Sequence, residues 1–315
     1  YGRNPYRYMQ IDDTGTPVNS TTKTGIGNVV TLTSLADHKY KIQMQGLCLD
    51  APVYENTEFK DMTASESGSE FETYVYSPGV VGFKSGNDRN YIHPRNSGTY
   101  GLMCYWGPST DAASGWIVET ATDIDLSLND GSDGNYYATF CAPFSYTVTG
   151  ATAYTLAESG EYLVPTLIDG EVAAGTPVLL KGSSNAATLT IGSGYAAAPL
   201  TETALTGTYL STTIDGETDY VLGIDDGDVV GFYHWDTSTL GANRAYVDTS
   251  AGIKGFAIDW SGETGIHAID NGRLTMDNAT YNLSGQRVTK AQKGIYIVRS
   301  AEGRLQGKNG KKVVK

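Results

Sequence analysis

Turn signals interrupt this chain so often that no long helix fits between them. DGSDG at Asp130–Gly134, ESGE at Glu158–Glu161, IDGE at Ile168–Glu171 and DDGD at Asp225–Asp228 separate short apolar runs. Asp and Gly mark turns because Gly reaches positive φ without strain and the Asp side chain bonds its own backbone two residues on. The runs between them are YYATFCAPFSYTV, AYTLA, TPVLLKG, ATLTIG, TDYVLGI, VVGFYHW and NRAYVDT. They are rich in the β-branched and aromatic residues that suit a half-buried pleated surface. Long amphipathic runs at the 3.6-residue helical period are absent. The chain is therefore expected to be all-β, with a β-sandwich over residues 122–270.

A chain of 315 residues is long for a single core and predicts two or three domains. Residues 1–121 contain three loosely similar segments. They open with YRYMQIDDTGTPV, HKYKIQMQGLCLDAP and NYIHPRNSGTYGLMCYW. Each reads as an alternating strand, a Gly turn and a second strand. Three such units, none able to bury its own face, suit a three-fold barrel.

The last stretch, YNLSGQRVTKAQKGIYIVRSAEGRLQGKNGKKVVK, is different in charge. Residues 287–315 hold nine Lys and Arg against one Glu, on a chain whose net charge is -13. A basic tail on an acidic body marks a separate module. Leu283, Val288, Ile295, Ile297 and Val313 are expected to share one apolar face of three short strands, with Gly285 and Gly294 at the turns. Residues 271–315 are thus read as a linker and a small β module.

Composition excludes several functions. The acidic balance argues against nucleic acid, which needs clustered Lys and Arg. No apolar run approaches the roughly 20 residues of a membrane-spanning helix. The chain opens on Tyr1 with no signal peptide visible, which reads as a mature or trimmed form. Three cysteines, Cys48, Cys104 and Cys141, are too few for a disulfide scaffold, although a Cys48–Cys104 pair is left open.

Catalytic chemistry finds few candidates. His38, His93, His234 and His267 show no H-x-x-H spacing, so they read as surface or strand residues, and no metal site or cofactor is expected. Cys48 or Cys104 with His93 could supply a thiol nucleophile, but both lie in Tyr- and Leu-rich strands. There is no G-x-S-x-G elbow. Two acidic clusters, Asp123/Asp125/Asp130/Asp133 and Asp225/Asp226/Asp228, have oxygens for calcium, but they match no EF-hand and read as turn residues.

Three resemblances follow from particular residues. The Y-x-I-Q-x-Q-G-x-x-L pattern at Tyr40–Leu49 and S-x-W at Ser114–Trp116 resemble degenerate ricin-type β-trefoil modules. The blocks from YYATFCAPFSYTV through KGFAIDW resemble a domain of secreted and surface proteins of Bacteroidetes. YNLSGQRV, KGIYIV and NGKKVVK resemble the C-terminal sorting module of the same proteins, although RSAEGRLQGK intervenes where that family runs on directly. These resemblances imply a β-trefoil-like domain over 1–121, the sandwich over 122–270 and a sorting-like module at the end. They imply export to the outer cell surface or beyond, with the export machinery as a partner.

The trefoil resemblance also implies a shallow sugar site, in which a polar group fixes hydroxyls and a ring packs on the sugar's C–H face. Asp50, Tyr54 and Trp106 fall at the matching places and are the candidate ligand-binding residues. The expectation is a non-enzymatic surface or secreted protein that binds glycan or a host polymer. A glycosidase or peptidase with carboxylates on loops, and a purely structural adhesin or accessory protein, are the alternatives.

Overall fold

The computed structural model describes residues 7–23, 25–52, 60–86, 91–95, 101–106, 112–121, 123–192, 199–235, 239–250 and 252–261, and in the tail the strand residues 280–281, 287–288, 295–298 and 312–314. The protein is all-β, with 54% strand, 4% helix and several sheets, one curled into a half-barrel. Tyr1–Trp260 form one compact unit and Ser261–Lys315 a second. No helix among the described residues is long and apolar enough to cross a membrane.

In the first unit, each of the three N-terminal segments makes an antiparallel hairpin. Tyr8–Ile11 pairs with Pro17–Ser20, Lys39–Met44 with Leu47–Asp50, and Tyr91–Pro94 with Met103–Trp106. The first turn is tied by Asp12, whose Oδ1 accepts from the backbone N–H groups of Thr14 and Thr16. The second hairpin extends into a sheet ordered Thr63–Ser65, Leu47–Asp50, Lys39–Met44, Phe71–Ser77 and Val80–Lys84, with Thr31–Ser34 also on Lys39–Met44. The third gains Lys60–Asp61 at one edge. Ile11, Ile42, Leu49, Phe71, Phe83, Ile92, Met103 and Trp116 close a shared core.

The central residues build a ten-stranded sheet. Its order is Asn129–Asp130, Tyr136–Phe140, Val178–Gly182, Ala151–Ser159, Tyr162–Leu167, Gly255–Ile258, Val230–Tyr233, Asp219–Ile224, Arg244–Asp248 and Leu205–Thr208. A three-stranded sheet of Asp123–Ser127, Ala186–Ile191 and Tyr146–Thr149 supplies Ile124, Leu189 and Tyr146 to one core with Ala138, Phe140, Val178 and Leu180. The alternate residues of those same strands, Tyr137 and Leu179, enter a second core with Leu163, Tyr220, Phe232 and Phe256. Two strands buried on both faces explain why YYATFCAPF and TPVLLKG are continuously apolar rather than alternating.

The N-terminal and central residues also meet. Val29 packs in the first central core. Gly46, at φ +75, lies under the Tyr209 ring, where a Cβ would stand 2.2 Å from Tyr209 Cδ2. The Ser211 N–H donates to the Asp13 carbonyl at 2.9 Å. All three cysteines are free and buried, so Cys48 and Cys104 are not joined.

The second unit is a four-stranded antiparallel sheet ordered Arg287–Val288, Thr280–Tyr281, Ile295–Val298 and Lys312–Val314. It has one strand more than the sequence pattern suggests. Val288 and Val298 stand opposite Thr280 from either side, and Val313 stands opposite Tyr296. Ile295 and Ile297 occupy the alternate register positions, so the expected five apolar residues do not all share one set. Period-2 parity across a sheet depends on the register between strands, which the sequence of each strand does not state. Leu283, Gly285, Gly294 and His267 lie outside the described residues.

Candidate ligand-binding face

Trp106 ends the strand Met103–Trp106 and stands opposite Tyr91. Residues directly opposite in an antiparallel pair share a face, as do residues two apart on one strand. Tyr91, His93 and Arg95 therefore lie along the face that carries Trp106 and Cys104. The His93 and Trp106 rings meet edge-on with centroids 5.2 Å apart. From the neighbouring sheet, Tyr74 and Tyr76 reach Tyr91 at 5.8 and 6.1 Å and each other at 5.2 Å, all edge-to-face.

These elements place two aromatic groups along one row, Tyr74, Tyr76 and Tyr91 in mutual ring contact and His93 with Trp106, related by the register that sets Tyr91 opposite Trp106. Tyr74 is 43% exposed, Tyr76 and Trp106 are half-buried, and Tyr91 and His93 are buried. Gly82 makes the row possible. A Cβ there would stand 2.6 Å from Tyr76 Cε2 and 3.0 Å from Tyr91 Cδ1, so any larger residue displaces a ring. At the end of the row the Arg95 guanidinium pairs with the Asp61 carboxylate, both partly open to solvent. Exposed ring surface is thus confined to Tyr74 and to the open parts of Tyr76 and Trp106, while the Arg95–Asp61 pair lies further along the sheet, past the buried His93 and Cys104.

The interior of the same face is pinned rather than reactive. His93 Nδ1 and Ser114 Oγ lie 3.0 Å apart with both residues wholly buried. Cys104 stands opposite His93, but its Sγ donates to the His93 carbonyl oxygen at 3.3 Å and not to the ring. Burial pushes its thiol up to about 12, far from the low value a nucleophilic thiolate needs. Trp116 is core, its Nε1 donating to the Ile92 carbonyl at 3.0 Å.

Of the other two candidate residues, Asp50 lies elsewhere. It ends Leu47–Asp50 opposite Thr63 and is half-buried in the neighbouring sheet. Tyr54 falls outside the described residues. Tyr74, Tyr76 and the Arg95–Asp61 pair were missed by sequence reasoning. The Y-x-Y alternation in FETYVYS is the signal that could have found the tyrosines, since it places two rings on one face.

The acidic clusters are used by the fold. Asp123 and Asp125 accept cross-strand hydrogen bonds from Thr190 and Thr188 at 2.8 and 3.2 Å. Asp130 caps the Ser132 N–H at 2.9 Å. Asp133 accepts from the Asn135 N–H and, at 2.8 Å, from the Tyr137 hydroxyl. Asp225 Oδ1 accepts from the N–H groups of Gly227 and Val229. Among the described residues no group of three or more His, Cys, Asp or Glu side chains is placed to hold a metal ion.

No protein-family model matches the chain, and no curated protein is similar to it.

Proposed function

We propose that this is an exported surface or secreted protein that binds glycan or a host polymer through the aromatic face around Trp106, with no reaction of its own. The observation that carries this reading is the set of rings Tyr74, Tyr76, Tyr91 and Trp106, open to solvent at Tyr74 and partly at Tyr76 and Trp106, with the Arg95–Asp61 pair further along the same hairpin sheet. A sugar ring has an apolar C–H face and a rim of hydroxyls, and such a row offers one surface for each. The mixed-sign pair can both donate to and accept from hydroxyls. The export reading is supported by the tail's resemblance to sorting modules and by its separation as a basic unit.

A glycan array probed with the intact chain tests the activity. Trp106→Ala and Tyr74→Ala should each weaken a binder found there several-fold, because a stacked ring is worth on the order of 1 kcal/mol. Thermal melts control for folding. Unchanged affinity in both variants rejects this face. An equal loss in Asp50→Ala extends the site onto the neighbouring sheet, and no loss confines it to the row. Deleting residues 278–315 should change export or surface retention in the native host, and unchanged retention rejects the sorting role.

A further inference from the structure

A second aromatic surface lies in the central sheet, distant in sequence from the first. On the adjacent strands Asp219–Ile224, Val230–Tyr233 and Gly255–Ile258, Gly223 stands opposite Gly231 and Tyr233 opposite Gly255. Alternation puts these four residues on one face. The other face carries Leu222, Phe232 and Phe256, which fill the second central core.

The outward face also carries Val221 and Ala257, but its three glycines leave stretches of bare backbone that rings cover. A Cβ at Gly255 would stand 2.2 Å from Tyr233 Cδ1, and one at Gly231 2.7 Å from the Tyr233 hydroxyl, so that ring lies across both glycines. Trp235 lies beside it, with Cζ3 3.6 Å and Cε3 3.9 Å from the Cβ position of Gly223. The Tyr233 hydroxyl donates to the Val229 carbonyl at 3.0 Å, which fixes the ring's orientation.

Covering glycine-rich strands accounts for Tyr233. It accounts only in part for Trp235, which covers Gly223 yet stays 51% exposed, the most exposed large aromatic side chain among the described residues. A large apolar ring held on a sheet face and left open to solvent is the kind of surface that ligands occupy. The chemistry at its margin narrows the ligand. The turn that receives the Tyr233 hydroxyl carries Asp225, Asp226 and Asp228, all exposed. Asp225 is tied up by two backbone N–H groups. Burial first, and then the Asp225 charge, push the Tyr233 hydroxyl up to about 12, which places that carboxylate near the ring's polar end. Three carboxylates beside an aromatic surface repel polyanions and accept hydrogen bonds from hydroxyls.

We propose that Tyr233 and Trp235 form a second carbohydrate platform that takes the C–H face of a sugar ring in a neutral polysaccharide, with the Asp226 and Asp228 side accepting from its hydroxyls and excluding uronate or sulfated chains. This rests on the glycan reading above and extends it, because two separate platforms on one chain raise avidity for a polymer that can reach both.

The test is native affinity electrophoresis of the intact chain through gels containing a soluble β-glucan, a galactomannan or a polyuronate. Wild type, Trp235→Ala, Trp106→Ala and the double variant are compared, with Trp235→Thr as a strand-favouring second substitution and thermal melts throughout. Wild type should be retarded by a neutral polymer and not by the polyuronate. Each single variant should lose affinity by about five-fold, and the double variant should run as in a blank gel. Full retardation of folded Trp235→Ala and Trp235→Thr, with loss in Trp106→Ala, overturns the second platform and leaves the first. Loss only in the Trp235 variants supports this platform and rejects the N-terminal one. A wild type retarded by none of the polymers overturns both, and equal retardation by the polyuronate overturns the charge selection.

Discussion

Gln45 Nε2 donates a 3.0 Å hydrogen bond to Asn243 Oδ1 across 198 positions of sequence, with both side chains buried. Both residues sit at positive φ, 49° and 56°. Asn tolerates that region well, whereas Gln45 is held there by the tight turn it shares with Gly46. Asn243 also donates from Nδ2 to the Cys141 carbonyl at 3.1 Å, and its own carbonyl accepts the Cys141 N–H at 3.3 Å. One side chain thus ties the tip of an N-terminal hairpin to the end of a central strand.

Asn243→Ala should therefore cost more than an ordinary surface change. It strips the acceptor from Gln45 and a donor from Cys141 in a site without water access, and it puts a Cβ-bearing residue with no side-chain compensation at positive φ. The expected loss is about 2–3 kcal/mol in urea unfolding. Gln45→Ala should lose less, about 1 kcal/mol, because Gln45 Oε1 is already buried without a partner. Equal small losses in both would mean that the bond contributes nothing.

The cysteines should be chemically silent in the folded protein. Burial pushes Cys104 and Cys141 up to about 12 and raises Cys48 as well, and none is bonded to another. Since the thiolate is the reactive form, a thiol reagent at neutral pH should label none of the three natively and all three in denaturant. Fewer than three in denaturant would reveal a disulfide, and fast native labelling would show that one of these strands opens.

Much of the strand content was legible because local signals set it. The apolar run through Cys141 and the hairpin at Asp12 are fixed by neighbours in sequence, and the structure contains both. What could not be read depends on pairs distant in sequence. The QMQG stretch resembles a trefoil motif, but its Gln45 and Gly46 act as a docking turn against Asn243, 198 residues on from Gln45, and against Tyr209. Trp106 was legible as a candidate by its type and place. Its neighbours were not, because Tyr74 reaches the row from another sheet and Arg95 finds Asp61 across an intervening strand. GFYHW reads as a strand, but only the register shows that Tyr233 and Trp235 stand over glycines.

Acid should weaken the turn at Asp133. Partial burial pulls that carboxyl upward, but hydrogen bonds from the Tyr137 hydroxyl and the Asn135 amides outweigh it and leave the group below its ordinary value. A depressed carboxyl stabilises the fold above its unfolded value of about 3.9 and loses that contribution as pH falls through the folded value. Asp133→Asn should thus be less stable than wild type at pH 7 by well under about 1 kcal/mol, since the group is exposed and screened. The two should converge as pH falls below the folded value of this carboxyl. A difference that stays constant with pH would assign the loss to geometry instead of charge.

The first unit should end, energetically, at Trp260. Its ring lies 5.2 Å from Tyr154 and 6.2 Å from Tyr137, with Lys181 Nζ 3.6 Å from the ring centroid. Tyr137 belongs to the second central core, and Trp260 packs against that core from its edge. The residue is half-buried, so its removal should cost about 2 kcal/mol, less than the 3–5 typical of a fully buried Trp. The cation over the ring supplies about 0.5–1 kcal/mol of that. Two truncations separate the ring from the tail. A chain of residues 1–261 should melt as the first unit does in the full-length protein, because its cores are complete by that point. A chain ending at residue 259 should melt roughly 5 °C lower, from the usual 2–4 °C per kcal/mol in a domain of this size. Lys181→Met in the longer truncation should reproduce only the cation–π part of that drop. Equal melting of the two truncations would show that Trp260 holds nothing, and failure of residues 1–261 to fold would show that the first unit needs the tail.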